Sequence, residues 1–443
     1  MVFRRLFGRS DAPAQEPPAD LPQADEEQDE ELGEPEAIDA EWADRIDWRG
    51  RAAAVLPTGS STGSKRPEAL YGRTDAEGPT HFIRANGCRV VDADEQEYID
   101  CTMALGAVAL GYAEARVTQA VIGAASAGNV SGLASVREVV LAERLCDVIP
   151  CAERVQFLKS GAEAMSAAVR IARVHTGREV VVGSGYFGWH DWSQDAAGVP
   201  AGVRGDFVRV PFEDVEALER AVGQAGSRLA AVVLEPVIER LPAPEWAARA
   251  RALCDRAGAV LIFDEMKTGF RLRTGGYQEL SGVMPDLAAF GKALANGYPL
   301  AAVVGREAVM EAAGRTWISS TLASEETALA AALAVLDWHG EADICEALAR
   351  SGREMRAAVD AAIEASGVAG VRTEGIDPMW LLRFDEPAHE TRFLELAAAG
   401  GALFKRGAYN FGSVAHDEDV IRELEGVASE AFVRLRDELA SGR

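Results

Sequence analysis

Six apolar runs of strand length, with helical spacing between several of them, constrain this chain more than any other feature. They predict strands at 155–158, 179–182, 231–235, 260–264, 287–290 and 301–304. A strand without a polar face must be covered on both sides. Such runs therefore predict an α/β fold, a large, mostly parallel sheet with helices on both faces, accompanied by a smaller α+β domain. Ligands of these sheets sit beyond the strands' carboxyl ends. The run Val260-Leu261-Ile262-Phe263 delivers Asp264-Glu265 to that position.

A second run, Leu287-Ala288-Ala289-Phe290, leads through Gly291 into Lys292, and Gly297 and Pro299 then turn the chain. Burial lowers an ammonium pKa, and the neutral amine is the form that attacks a carbonyl. Either residue alone is ordinary, because most lysines are solvated and most strand-terminal aspartates cap a turn. Together, 28 residues apart on successive apolar strands, Asp264 and Lys292 fit a cofactor site. In such a site a lysine forms a Schiff base and an aspartate keeps a pyridine nitrogen protonated. Lys267 competes for the lysine role, but Thr268 and Gly269 beside it predict a turn facing solvent.

Two further strings lie next to strands. Leu158-Lys159-Ser160-Gly161-Ala162-Glu163-Ala164 opens a helix, with Ser160 and Glu163 spaced as a capping box. A helix start with a glycine is also an anion site, because its free amides and dipole point at the ligand. Gly183 to Gly188 is formally a GxGxxG after a strand, yet Trp189-His190-Asp191-Trp192 and the Gly/Pro-rich 197–205 have no helical period. A dinucleotide fingerprint must open a helix, so this one is a decoy.

The strings Asp264-Glu265 with Thr268-Gly269-Phe270-Arg271, and Gly291-Lys292 with Gly297 and Pro299, resemble the class III, fold-type I pyridoxal phosphate (PLP) aminotransferases. Within that family the chain is similar to the glutamate-1-semialdehyde aminomutase branch, over roughly residues 66–435. The resemblance implies PLP as cofactor, Lys292 as its covalent anchor and proton carrier, and Asp264 on the ring nitrogen. It implies a phosphate cup at Ser160, Gly161 and Ala162, and Tyr186 stacked on one ring face. Side chains alternate along a strand, so Asp264 and Met266 share a side, which suits Met266 for the opposite face. Glu235, followed by Pro236, is expected near the ring substituents and the substrate. Thr321, in Ser319-Ser320-Thr321-Leu322, is expected to reach the phosphate of a partner subunit, which makes the protein a homodimer. Arg73 is the candidate for a substrate carboxylate. Two departures stand out: Phe187 replaces the family's histidine, and Ser324-Glu325-Glu326 stands where Gly-Asn-Pro is common. His190 reads as a loop residue without a partner.

The net charge of −25 and pI near 4.7 disfavour nucleic acid and anionic membrane as partners. Residues 11–45 hold 14 acidic residues against one arginine, so a disordered acidic arm is expected over 1–64. It is followed by a segment of a smaller domain at 65–112, a large PLP-binding domain at 113–338 and a C-terminal small domain at 339–443. A hairpin is expected to turn at Asn86-Gly87. Six cysteines without CxxC or metal-ligand spacing read as reduced core thiols, and no apolar run is as long as a membrane span, so a cytoplasmic enzyme without a metal is expected. The activity implied is amino transfer between an amino donor and a small aldehyde or keto substrate. An intramolecular aminomutase is the alternative, and a non-catalytic scaffold working through its acidic arm is the second.

Overall fold

Residues 47–441 are described in the computed structural model of the chain. The expectations for residues 1–46, most of the acidic arm, lie outside the described residues. The helix Trp48–Val55 starts on the Asp47 carboxylate, which accepts the Gly50 amide at 2.9 Å. Strands β1 (Phe82–Asn86), β2 (Arg89–Asp92) and β3 (Glu97–Asp100) follow as an antiparallel meander, with Asn86 opposite Arg89 across the expected turn.

The central sheet takes β4 (Arg154–Leu158), β5 (Val180–Ser184), β6 (Phe207–Arg209), β7 (Leu229–Leu234), β8 (Val260–Asp264), β9 (Leu287–Phe290) and β10 (Ala301–Gly305). Their spatial order is β4-β10-β9-β8-β7-β5-β6. Pairing is parallel from β9 through to β6, whereas β10 runs antiparallel to both β4 and β9. Six strands thus point one way, and all six expected strands are present. The three-residue edge strand β6 has too little pattern to be read from sequence. Every residue of β5, β7, β8, β9 and β10 is buried. Each fully buried Leu, Ile, Val or Phe there contributes roughly 1.5–3 kcal/mol, which is why these runs carry no polar face.

Helices cover both faces and are set by local signals. Helix Gly161–Thr176 opens on the full Ser160/Glu163 capping box and closes on Gly177 in the left-handed region. Helix Pro244–Ala257 has proline in its first turn and Gly258 as its cap. Helices Glu326–Glu341, Ile344–Ser366, Pro387–Ala399 and Glu418–Ala440 follow. Between them lie β11 (Val371–Ile376), β12 (Met379–Phe384), β13 (Ala402–Leu403) and β14 (Tyr409–Phe411). β11, β12 and β14 form a small antiparallel sheet, and β13 pairs with β3 and joins the first sheet.

One side chain ties these layers together. Arg271 is 1% exposed, and its guanidinium donates to the carbonyls of Gly106 (3.0 Å), Gly412 (2.9 Å) and Pro378 (3.3 Å). It also lies 4.8 Å from the Phe411 ring centroid.

Candidate active site

Five parallel strands empty onto one cavity of about 590 Å³. β4 delivers Lys159, Gly161 and Ala162; β5 delivers Tyr186; β7 delivers Glu235; β8 delivers Asp264, Met266 and Lys267; β9 delivers Lys292. β10 runs the other way and brings Pro299 and Leu300 to the same rim. The carboxyl-end rule for ligands thus places the site where Asp264 was expected.

Asp264 is 5% exposed, and its Oδ1 accepts the Met266 amide at 3.0 Å. Burial, and after it the Glu235 carboxylate, pushes the Asp264 carboxyl up. A cation on a bound ligand would reverse this. Its sequence neighbour Glu265 turns away and does structural duty. Fully buried, it accepts the Tyr277 amide (2.9 Å), the Gln278 amide (3.1 Å) and the Thr268 hydroxyl.

Lys292 follows β9 with φ of +49°, a left-handed backbone that non-glycine residues rarely adopt and that collects at functional sites. Burial, reinforced by the charge of Lys267, holds its ammonium below the usual lysine range, at about 8. A neutral amine is therefore within reach near physiological pH.

The helix start at Gly161 presents backbone amides that precede the first intrahelical bond. Gly161 and Ala162 line the cavity, whereas Ser160 is exposed and its hydroxyl is engaged with Glu163. A Cβ on Gly161 would sit 3.0 Å from Met266 Sδ, so the glycine leaves room for Met266 beneath the helix start. Tyr186, which also lines the cavity, is 65% exposed, and its amide donates to Glu235 Oε2 at 2.9 Å.

The glycines of the decoy motif have another explanation. Gly185 has φ of +133°, and a Cβ there would stand 2.3 Å from Glu235 Cβ. Gly185 makes room for Glu235, Gly183 for Phe207 and Phe187, and Gly188 for Ala162, and no long helix follows the motif. Phe187, in the histidine's place, is fully buried against Trp192 and Phe207, with centroids at 5.7 and 6.2 Å.

Three expectations are corrected. Lys267 does not face solvent: its side chain is 16% exposed, ion-paired with Glu235 and 4.3 Å from the Tyr409 ring centroid. The turn at Thr268-Gly269 is real but folds inward against Phe290, where a Cβ on Gly269 would meet the ring at 2.3 Å. Arg73 is not brought to the cavity, because its guanidinium is held 2.6 Å from Glu395. His190 has a partner, with Nδ1 2.7 Å from Ser166 Oγ. Thr321 is exposed on this chain and borders a separate recess with Asn129, Arg137 and Glu326.

Sequence reasoning missed Tyr409, Tyr298 and Trp189, which line the cavity from distant or irregular segments. It also missed the Lys159 to Glu325 ion pair of 2.8 Å behind the helix start.

The sequence model of the family described as Aminotransferase class-III matches residues 71–188 and 198–411. The 3-aminobutyryl-CoA aminotransferase of Cloacimonas acidaminovorans is 34% identical over 325 residues, covering 71% of this chain and 78% of its own. The glutamate-1-semialdehyde 2,1-aminomutase of Polynucleobacter asymbioticus is 30% identical over 400 residues, covering 81% and 92%. Among solved structures, a PLP form of the FumI protein of Sphingopyxis sp. MTA144 is similar with a TM-score of 0.85 and 29% identity, covering 89% of this chain and 97% of that one.

Proposed function

The chain belongs to the class-III aminotransferase family, and from that premise we propose that it moves an amino group from an amino donor to a small aldehyde or keto acceptor. Its cofactor is PLP. The observation that carries the reading is one cavity holding a half-buried lysine, a buried aspartate and a helix start.

The residues fit the group. The amides of Gly161 and Ala162 form the anion cradle for a phosphate, with Ser160 holding the helix start in shape. Met266 and Tyr186 are the apolar and aromatic walls for a flat ring. Asp264 is the carboxylate for a ring N–H. Glu235 orients the Tyr186 segment through its backbone amide and stands at the substrate end. Bound PLP supplies an electron sink for the electrons left when a proton leaves the substrate carbon. Lys292 Nζ, in its neutral form, would be the covalent tether and then the base that takes a proton from the amino donor's carbon and, in the second half of the cycle, gives one to the acceptor's carbon. Tyr298, Pro299 and Leu300 also line the cavity.

Thr321 is proposed to reach the phosphate of a second copy, so the working protein is a homodimer. Among the described residues no helix is long and apolar enough to cross a membrane, and the cysteines are free thiols. Both support a cytoplasmic enzyme.

Borohydride reduction of the PLP-loaded protein, followed by peptide mapping, tests the reading. Label on Lys292 is expected, with loss of the visible band in Lys292→Ala. Label on Lys267 would overturn the assignment, and a colourless protein indifferent to PLP would favour the scaffold. The similarity to the Polynucleobacter enzyme keeps the aminomutase as second reading. A panel of donors and acceptors decides between them, because turnover of one amino-aldehyde alone would replace the aminotransferase.

A further inference from the structure

Lysine is rare in this chain. Of 45 basic residues, five are lysine (65, 159, 267, 292 and 405) and the other 40 are arginine. Three of those five lysines line the active-site cavity, and none of the arginines among the described residues does. Lys292 is the proposed tether, and Lys159 is bound to Glu325 behind the phosphate cradle. Lys267 has no part in the chemistry above, yet it is as enclosed as Lys159.

Its surroundings fix it in place. One Glu235 oxygen pairs with Lys267 Nζ, while the other accepts the Tyr186 amide at 2.9 Å, so the carboxylate is held from two sides. The ammonium lies 4.3 Å from the Tyr409 centroid, a geometry that favours the charged form. Burial alone would lower its pKa, but Glu235 and Tyr409 outweigh burial and keep it above the ordinary value. A permanent cation opposes a second positive charge nearby, which is a general way to activate a lysine. The charges facing Lys292 are Lys267 and Arg271 on one side of the balance, and Asp264 and Glu235 on the other.

We propose that Lys267, fixed by Glu235 and Tyr409, is a positioning residue that acts on Lys292 through its charge and keeps that amine in the neutral, reactive form. The proposal rests on Lys292 being the tether. Without Lys267, the Lys292 amine holds its proton to higher pH, and capture of the cofactor shifts with it.

Lysine NMR on the full-length chain, stripped of PLP and carrying ¹³Cε-lysine, reads this directly, because five lysines give five signals assignable by substitution. The Lys292 signal is expected to titrate at higher pH in Lys267→Met than in the parent. In the double variant Glu235→Gln/Lys267→Met it stays above the parent, by less. An unchanged titration in Lys267→Met overturns the proposal. So does a rise that vanishes in the double variant, since the orphaned Glu235 carboxylate would then be the cause. The failures are separable. If borohydride labels another lysine, the site reading falls whatever the titration shows; if it labels Lys292 and the titration stays put, only the role of Lys267 falls.

Discussion

Replacing Gly185 by alanine adds one carbon at the junction of β5 and the cavity. Its consequences can be worked from the backbone. The residue has φ of +133°, and the new Cβ would lie 2.3 Å from Glu235 Cβ and 2.9 Å from its Oε2. The dihedral costs about 1–3 kcal/mol for a residue with a side chain. Forcing a methyl into a filled space costs about 1–3 kcal/mol more. The expected loss is therefore at least ~2 kcal/mol, read as a lower urea midpoint. The contact is with Glu235 itself, so relief by movement pulls the carboxylate off Lys267 and the Tyr186 amide. PLP affinity should then fall about tenfold, the equivalent of ~1.4 kcal/mol. Fluorescence titration measures that second effect. Gly223→Ala is the control: in helix Val215–Ala225 an added Cβ meets nothing within 4 Å, and the change should stabilise by up to ~1 kcal/mol. If Gly185→Ala keeps both its midpoint and its PLP affinity, the account of these glycines is wrong.

Other perturbations have equally definite signs. In the cofactor-free chain Lys292 is neutral above about 8, whereas the unfolded amine stays charged up to 10.5. The folded state binds fewer protons in that window, so this group's contribution is full above 10.5 and lost as pH falls to about 8. Lys292→Met should flatten the slope of urea midpoint against pH there. The fall in stability as pH rises toward about 7, to which buried Glu265 and Asp264 both contribute, should persist in that variant. Phe187→Ala empties an aromatic pocket and should cost about 3–5 kcal/mol by denaturant unfolding. Thr321→Ala should weaken PLP binding several-fold without moving the unfolding midpoint of a separated monomer; an unchanged affinity in a dimer sized by light scattering would remove Thr321 from the site.

The central strands were legible because burial on both faces forces unbroken apolar runs, and Asp264 and Lys292 were legible because each ends such a run. The capping box was legible because its chemistry is local. Lys267 was misread for a physical reason: Thr268-Gly269 signals a turn, but sequence does not say which way a turn folds, and Phe290 closes over it. Arg73 was misplaced because Glu395, its partner, is 322 residues away. Tyr409 arrives on the three-residue β14, which pairs with β12 outside the large sheet, so no periodicity points from it to the cavity.

The guanidinium of Arg271 has a consequence for dissecting the protein. Its three acceptors, Gly106, Pro378 and Gly412, all lie outside residues 113–338, the stretch proposed as the PLP-binding domain. Expressed alone, that fragment would carry a charged group shaped for carbonyls it no longer has. Segments from before and after that stretch thus meet on one guanidinium inside it, and the enzyme should be engineered whole.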